Sequence, residues 1–210
     1  MPAKQITFKI YLITDRKLCK KPFLEAIEES CRAGIKAIHL REKDLSTKEL
    51  LDMAFKIREI TAKYKTLLFI NDRIDICLAV NADGIQLTEN SLPIAVAKKI
   101  TQKLIIGASR HTLESCIEAE KQGADFIVFG SIFKEKNNIK PQGIEILKKV
   151  CTKIKIHVFA VGGINPENAK SCILSGASGV AVISYILSSE NIEEKVYSIQ
   201  QAVLSHIFSS

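Results

Sequence analysis

Arg41 and Lys43 stand two positions apart in the run His39-Leu40-Arg41-Glu42-Lys43, so on an extended chain both cations project to one side. Two cations facing one rim call for an anionic partner, and phosphate, diphosphate or carboxylate all fit. The structural alternative is an ion-pair network with Glu42, Asp44 or Asp72. Asp72, with the orienting amide of Asn71 beside it, is suited to Mg²⁺, a hard cation that takes oxygen ligands and bridges to substrate phosphates. Val161-Gly162-Gly163-Ile164-Asn165 leads into a helix, and Val182-Ile183-Ser184-Tyr185 precedes a short extra one. Adjacent glycines let backbone N–H groups approach an anion, and a helix N-terminus adds favourable partial charge. His111 is the acid/base candidate, because an imidazole can carry a proton either way near pH 7. His39 is a second imidazole, although strand alternation can turn it into the wall of the fold. His157 and His206 have no comparable setting and read as structural.

These groups need elements to position them. Short apolar runs fall at Phe8–Ile13, Ile35–Leu40, Thr66–Ile70, Gly84–Leu87, Leu104–Ile106, Phe126–Phe129, Ile156–Val161 and Gly179–Ile183, the pattern of parallel strands covered on both faces. Helical patterns fill the gaps: Phe23–Arg32, Thr47–Tyr64, Ile74–Val80, Leu92–Ile100, Leu113–Gln122, Ile144–Cys151, Pro166–Leu174 and Ile192–Ile207. Ser46 opens an S-x-x-E capping box, and Asn165 precedes a first-turn proline. Gly34, Gly123 and Gly176 each close a helix just before a strand, and Asn81-Ala82-Asp83-Gly84 is a variant of that joint. Eight strand–helix units over residues 1–210 predict a single α/β domain, a (β/α)8 TIM barrel; a doubly wound sheet would leave three strands unexplained. In a barrel the chemistry gathers at the C-terminal strand ends, which is where all the candidate groups fall.

Composition narrows the function classes. The 210 residues are 47% hydrophobic, enough to offset ordering entropy, so disorder is excluded. No apolar run is long enough to cross a bilayer and no leader pattern opens the chain, so a cytoplasmic protein without membrane partners is expected. The net charge of +7 comes from dispersed lysines without a basic, aromatic-laced stretch, which argues against nucleic acid and leaves a small phosphorylated ligand. The six cysteines have neither C-x-x-C pairing nor metal spacing; Cys31, Cys77, Cys116 and Cys172 fall on helices as small core residues.

The segments Tyr11–Arg16 (YLITDR), His39–Lys43 (HLREK), Ile70–Arg73 (INDR), Ala82–Leu87 (ADGIQL), Ile106–Ser115 (IGASRHTLES), Gly123–Phe133 (GADFIVFGSIF), Val161–Ile164 (VGGI) and Gly179–Ser184 (GVAVIS) together resemble the thiamine phosphate synthase and thiazole tautomerase superfamily. The synthase branch joins hydroxymethylpyrimidine diphosphate to thiazole phosphate with Mg²⁺. That resemblance implies Arg41, Lys43 and Asn71 on the diphosphate substrate, Asp72 on the metal, Ser109 near the reacting groups, and Gly163, Ile183 and Ser184 on the thiazole phosphate. The tautomerase branch aromatises a thiazole phosphate carboxylate with one histidine, which falls on His111, and requires no metal. Three departures from synthase pattern favour the tautomerase: His39 where the synthases have Gln, Ser91 near the place where they have a second metal-binding Asp, and Lys134–Lys140 in place of a Thr-rich lysine loop. The expected ligand is thus a small phosphorylated heterocycle, with a thiazole tautomerase first, a synthase second and a catalytically silent binder of thiazole or thiamine phosphate third. Lys134, Lys136 and Lys140 are the cations available to replace the missing loop contacts. The resemblance also implies a homo-oligomer.

Overall fold

A computed structural model describes residues 6–134 and 140–204; His206 and Lys136 lie outside the described residues. Eight parallel strands close into a barrel in sequence order, β1-β2-β3-β4-β5-β6-β7-β8: β1 Ile10–Ile13, β2 Ala37–Leu40, β3 Leu67–Asn71, β4 Gly84–Leu87, β5 Ile105–Arg110, β6 Phe126–Gly130, β7 His157–Val161 and β8 Gly179–Val182. The helices between and after them are α1 Phe23–Arg32, α2 Thr47–Lys63, α3 Ile74–Ala79, α4 Ile94–Ile100, α5 Leu113–Lys121, α6 Gly143–Lys153, α7 Pro166–Leu174, α8 Ser184–Leu187 and α9 Ile192–Leu204, with a 3-10 turn at Arg16–Leu18. This is the (β/α)8 barrel that the sequence predicts. No helix among the described residues is long and apolar enough to cross a membrane.

Strand alternation divides the apolar residues into two cores. Leu12, Ile38, Leu68, Ile85, Ile106, Ile127, Val158 and Val180 belong to the outer cluster, which packs under the helices. Tyr11, Ala37, Phe69, Phe126, Phe159 and Ala181 belong to the inner cluster. Phe8, expected to open the first strand, instead precedes it and plugs the barrel, its ring 4.8 Å from Phe159 and 5.4 Å from Tyr11. Glycine makes room for these rings: a Cβ at Gly84 would lie 2.4 Å from the Phe69 ring, and one at Gly107 2.4 Å from that of Phe126.

The helix ends follow the local rules. Ser46 and Glu49 form the capping box of α2, and Asn165 caps α7 ahead of Pro166. Asn81, not Gly84, takes the left-handed conformation (φ +50°) in the variant joint, the role Gly34 fills after α1. The fifth strand runs well past the expected Ile106, to Arg110. Gly107, Ala108 and Ser109 have low strand propensity, but pairing with β4 and β6 on both sides overrides it. All six cysteines are unpaired. Burial holds the Cys77, Cys116 and Cys172 thiols near pKa 12, protonated and inert, as small core residues should be.

Candidate functional site

Above the ring plug the interior opens into a cavity of about 590 Å³ at the C-terminal strand ends. Of the residues singled out in the sequence, His39, Arg41, Lys43, Ser109, His111, Gly162, Gly163, Ile183 and Ser184 line it. Asn71 and Asp72 do not. They line a neighbouring hollow of about 290 Å³ that shares Lys43 with the main cavity.

At the end of β2, alternation aims His39 inward above Ala37, not into the wall. Its ring is stacked on Tyr11 (5.7 Å, 9°), and its Nε2 lies 3.2 Å from Asn71 Oδ1. Asn71 Nδ2 donates to Asp72 Oδ2 at 2.7 Å, which turns the amide oxygen toward His39 and assigns the proton to Nε2. The strand stops at Leu40, yet Arg41 and Lys43 both reach the cavity. Neither enters an ion pair among the described residues, so the expected alternative of a salt-bridge network with Glu42, Asp44 or Asp72 is not what forms.

Asp72 adopts a left-handed conformation (φ +59°), and its Oδ1 accepts a hydrogen bond from Ser91 Oγ, which also contacts the Thr88 hydroxyl at 2.8 Å. The donor set is one carboxylate flanked by neutral hydroxyl oxygens. It fits Mg²⁺, which commonly takes one or two carboxylates and completes its shell with water and substrate phosphate. Among the described residues no group of three or more His, Cys, Asp or Glu side chains could enclose a metal.

On the floor, sequence reasoning missed Gln86. It is fully buried, accepts from the Tyr11 hydroxyl at 3.3 Å and donates through Nε2 to Ser109 Oγ at 3.0 Å. With one lone pair of Ser109 so occupied, its own hydrogen is left for donation into the cavity. Burial raises the Tyr11 hydroxyl well above its ordinary pKa, so the chain starts from a neutral donor. The signal was present: Gln86 lies two residues beyond Gly84, on the inward parity of β4.

His111 lines the cavity as expected. Its Nδ1 meets the Gly130 carbonyl oxygen, making Nδ1 the protonated nitrogen and leaving the Nε2 lone pair. The Glu89 carboxylate accepts its backbone N–H at 3.3 Å. On the outer face of β5, Arg110 donates to the Ser109 and Leu87 carbonyls, and burial lowers its pKa.

The anion grip after β7 and β8 differs from expectation in one respect. Gly162 (φ +105°) and Gly163 (φ +73°) form the turn, and a Cβ on the first would lie 2.4 Å from Ser131 Oγ, on the second 2.9 Å from Lys134 Cβ. Their bareness thus admits the chain after β6, which brings Lys134 to the cavity; Lys140 is exposed and does not line it. The N-terminus of α7 is closed by its own Asn165–Asn168 capping box, so it does not hold its amides open for a ligand. The N-terminus of α8 has no side-chain cap, and its residues Ile183 and Ser184 face the cavity. Tyr185 anchors this short helix through a 2.7 Å hydrogen bond to Ser198 of α9.

Comparison with known proteins places this arrangement. The family described as thiamine monophosphate synthase matches residues 10–186. A thiamine-phosphate synthase of Pyrococcus furiosus is 42% identical over 93% of this chain and 94% of its own length. A putative thiamine-phosphate synthase 2 of Aquifex aeolicus is 46% identical over 85% and 97%. A solved thiamine phosphate pyrophosphorylase structure from Pyrococcus furiosus superposes with a TM-score of 0.88 at 40% identity, covering 96% of this chain and 98% of that one. The preference for the tautomerase branch is corrected by these relatives, which carry the synthase name.

Proposed function

Because this chain belongs to the thiamine monophosphate synthase family, we propose that it joins hydroxymethylpyrimidine diphosphate to thiazole phosphate, yielding thiamine phosphate and diphosphate. One observation carries this reading. A single cavity offers two separate places for an anion: Arg41 and Lys43 after β2, in no ion pair among the described residues, and the uncapped start of α8 beside the Gly162–Gly163 turn. A tautomerase substrate also brings two anionic groups, a carboxylate and a phosphate, but Lys43 shares its hollow with Asp72, a carboxylate suited to Mg²⁺, and that pairing favours a diphosphate at the first place.

The reaction forms a bond from the thiazole ring nitrogen to the pyrimidine methylene carbon, and the carbon–oxygen bond to diphosphate breaks with its electron pair leaving on oxygen. Charge accumulates on the departing diphosphate, where Arg41 and Lys43 meet it. Asn71, held by Asp72, aligns His39 at the same wall. Gly163, Ile183 and Ser184 fix the thiazole phosphate so that the nitrogen is held near the carbon it attacks, which converts an encounter into an intramolecular approach. Ser109, with its hydrogen directed by Gln86, supplies a donor between the two. Asp72 would hold Mg²⁺ with Ser91 and Thr88 beside it, and the ion would neutralise diphosphate charge. The thiazole nitrogen ends the reaction quaternary and no proton has to be removed from the ring. His111 therefore acts as a hydrogen-bonding wall group rather than the base assigned to it for tautomerisation.

Incubating the purified protein with both substrates and Mg²⁺ tests the proposal. Thiamine phosphate and diphosphate should appear in equal amounts, and chelation of Mg²⁺ should suppress both. Binding of thiazole phosphate with no product under these conditions would point to a silent binder and overturn the assignment.

A further inference from the structure

The cations after β2 sit among acids. Glu42 lies between Arg41 and Lys43, and Asp44 follows at once. A neighbouring carboxylate is the ordinary partner for such a cation, and a pair so formed would have to be broken by any incoming anion. Here both acids are occupied from the preceding rim segment. Arg16 Nη1 is 3.0 Å from Glu42 Oε2 and 2.6 Å from Asp44 Oδ1, and Nη2 is 2.8 Å from Asp44 Oδ2, so one guanidinium forks onto Asp44 and still reaches Glu42. The Arg16 backbone N–H lies 3.1 and 3.2 Å from the two Glu42 oxygens, and the Thr14 hydroxyl donates to Oε1 at 2.7 Å. The Glu42 side chain, only 2% exposed, is thereby saturated with donors that exclude its two neighbours. Lys17 Nζ completes the neutralisation of Asp44 at 2.8 Å. Thr14 Oγ1 also accepts the Arg41 backbone N–H at 2.9 Å, tying the same segment to the cation it spares.

We propose that Arg16 is a positioning residue: it sequesters Glu42 and Asp44 so that Arg41 and Lys43 remain available to the substrate diphosphate. This rests on the function proposed above, and it gives Arg16 a role that depends on charge and fork geometry but on no contact with substrate. Lysine at this position carries the charge but cannot bridge both acids.

Calorimetric titration with inorganic diphosphate, paired with steady-state kinetics, tests it. Arg16→Ala keeps the backbone bonds to Glu42. It should weaken diphosphate binding by roughly tenfold, the size of one charge-assisted hydrogen bond lost to competition. KM for the pyrimidine diphosphate should rise in step, while kcat stays within about threefold of wild type. Adding Asp44→Asn to Arg16→Ala should recover most of the lost affinity, which a merely structural role would not do. Arg16→Lys should fall between, and serves alone if Arg16→Ala does not fold. Unchanged diphosphate affinity in a folded Arg16 variant, or a loss that Asp44→Asn leaves in place, would overturn the proposal while sparing the function. A wild-type protein that does not bind diphosphate would remove both.

Discussion

The inside of the barrel has two unlike halves built on the same alternating positions. In the lower half the inward residues are Phe8, Tyr11, Phe69, Phe126 and Phe159, whose contacting ring centroids lie 4.8–6.4 Å apart and leave no room for a ligand. Two to four positions further along the strands, the inward residues include His39, Ser109, Gly130 and Ala181, small or polar beside Ile13, Val128 and Val161, and a cavity of about 590 Å³ opens over them. Tyr11 belongs to both halves: its ring is part of the plug, and its hydroxyl begins the chain through Gln86 to Ser109. The lower half supplies stability and a rigid floor. The upper half gives up apolar burial so that polar groups can face a ligand.

Substitutions in the two halves should therefore separate stability from function. The largest effect is expected at Phe126, fully buried against Phe8, Tyr11, Phe69 and Phe159. Phe126→Ala should lower the unfolding free energy by about 3–5 kcal/mol in urea titration, through lost burial and the void left behind. Arg41→Ala, in the open half, should change stability by under about 1 kcal/mol. It should lower kcat/KM by a factor worth about 2–3 kcal/mol, the price of a charged contact to the departing diphosphate. A destabilised Arg41→Ala, or a stable Phe126→Ala, would erase the division.

Gln86 lies at the seam and should show both effects in milder form. Gln86→Met keeps the length but leaves the Tyr11 hydroxyl and Ser109 without their buried partner, at a cost of roughly 1–3 kcal/mol of stability. It should also lower turnover by about tenfold, because the Ser109 hydrogen is no longer directed. The smallest effect belongs to His157, at the start of β7 and the far end from the cavity. Burial, aided by Lys9, holds its pKa below the ordinary 6.5. The unfolded chain thus takes up the proton first as pH falls. Stability should be full above pH 6.5 and decline as the pH drops through the lower folded value. His157→Gln should remove that slope, seen as a flatter Tm against pH, without altering turnover.

Legibility in the sequence followed the same division. The strands and their order were readable because parallel strands buried on both faces give short, unbroken apolar runs, as in Phe126–Phe129 and Gly179–Val182. The candidate cavity residues were readable because Arg41, Ser109, His111 and Ser184 all fall at one end of such runs. What escaped were relations between segments. No local pattern says that Arg16 takes Glu42 and Asp44, since the partners are 26 and 28 residues apart. Nor does the Gly-Gly turn announce that α7 caps itself through Asn168 while α8 stays open. His39, Ser91 and the changed sequence after β6 point toward a tautomerase because each departs from the synthase pattern locally. The intact Asn71–Asp72 pair and the cations Arg41 and Lys43 act together, and only the folded rim brings them to adjoining walls.

The central claim is that two anions occupy one cavity at different stretches of its rim, and a crystal structure with thiazole phosphate and inorganic diphosphate bound together tests it most directly. The account predicts the thiazole phosphate group within hydrogen-bond reach of the Gly163 and Ser184 amides, and the diphosphate on Arg41 and Lys43. Both anions competing for a single position, or a thiazole phosphate seated away from the start of α8, would contradict it.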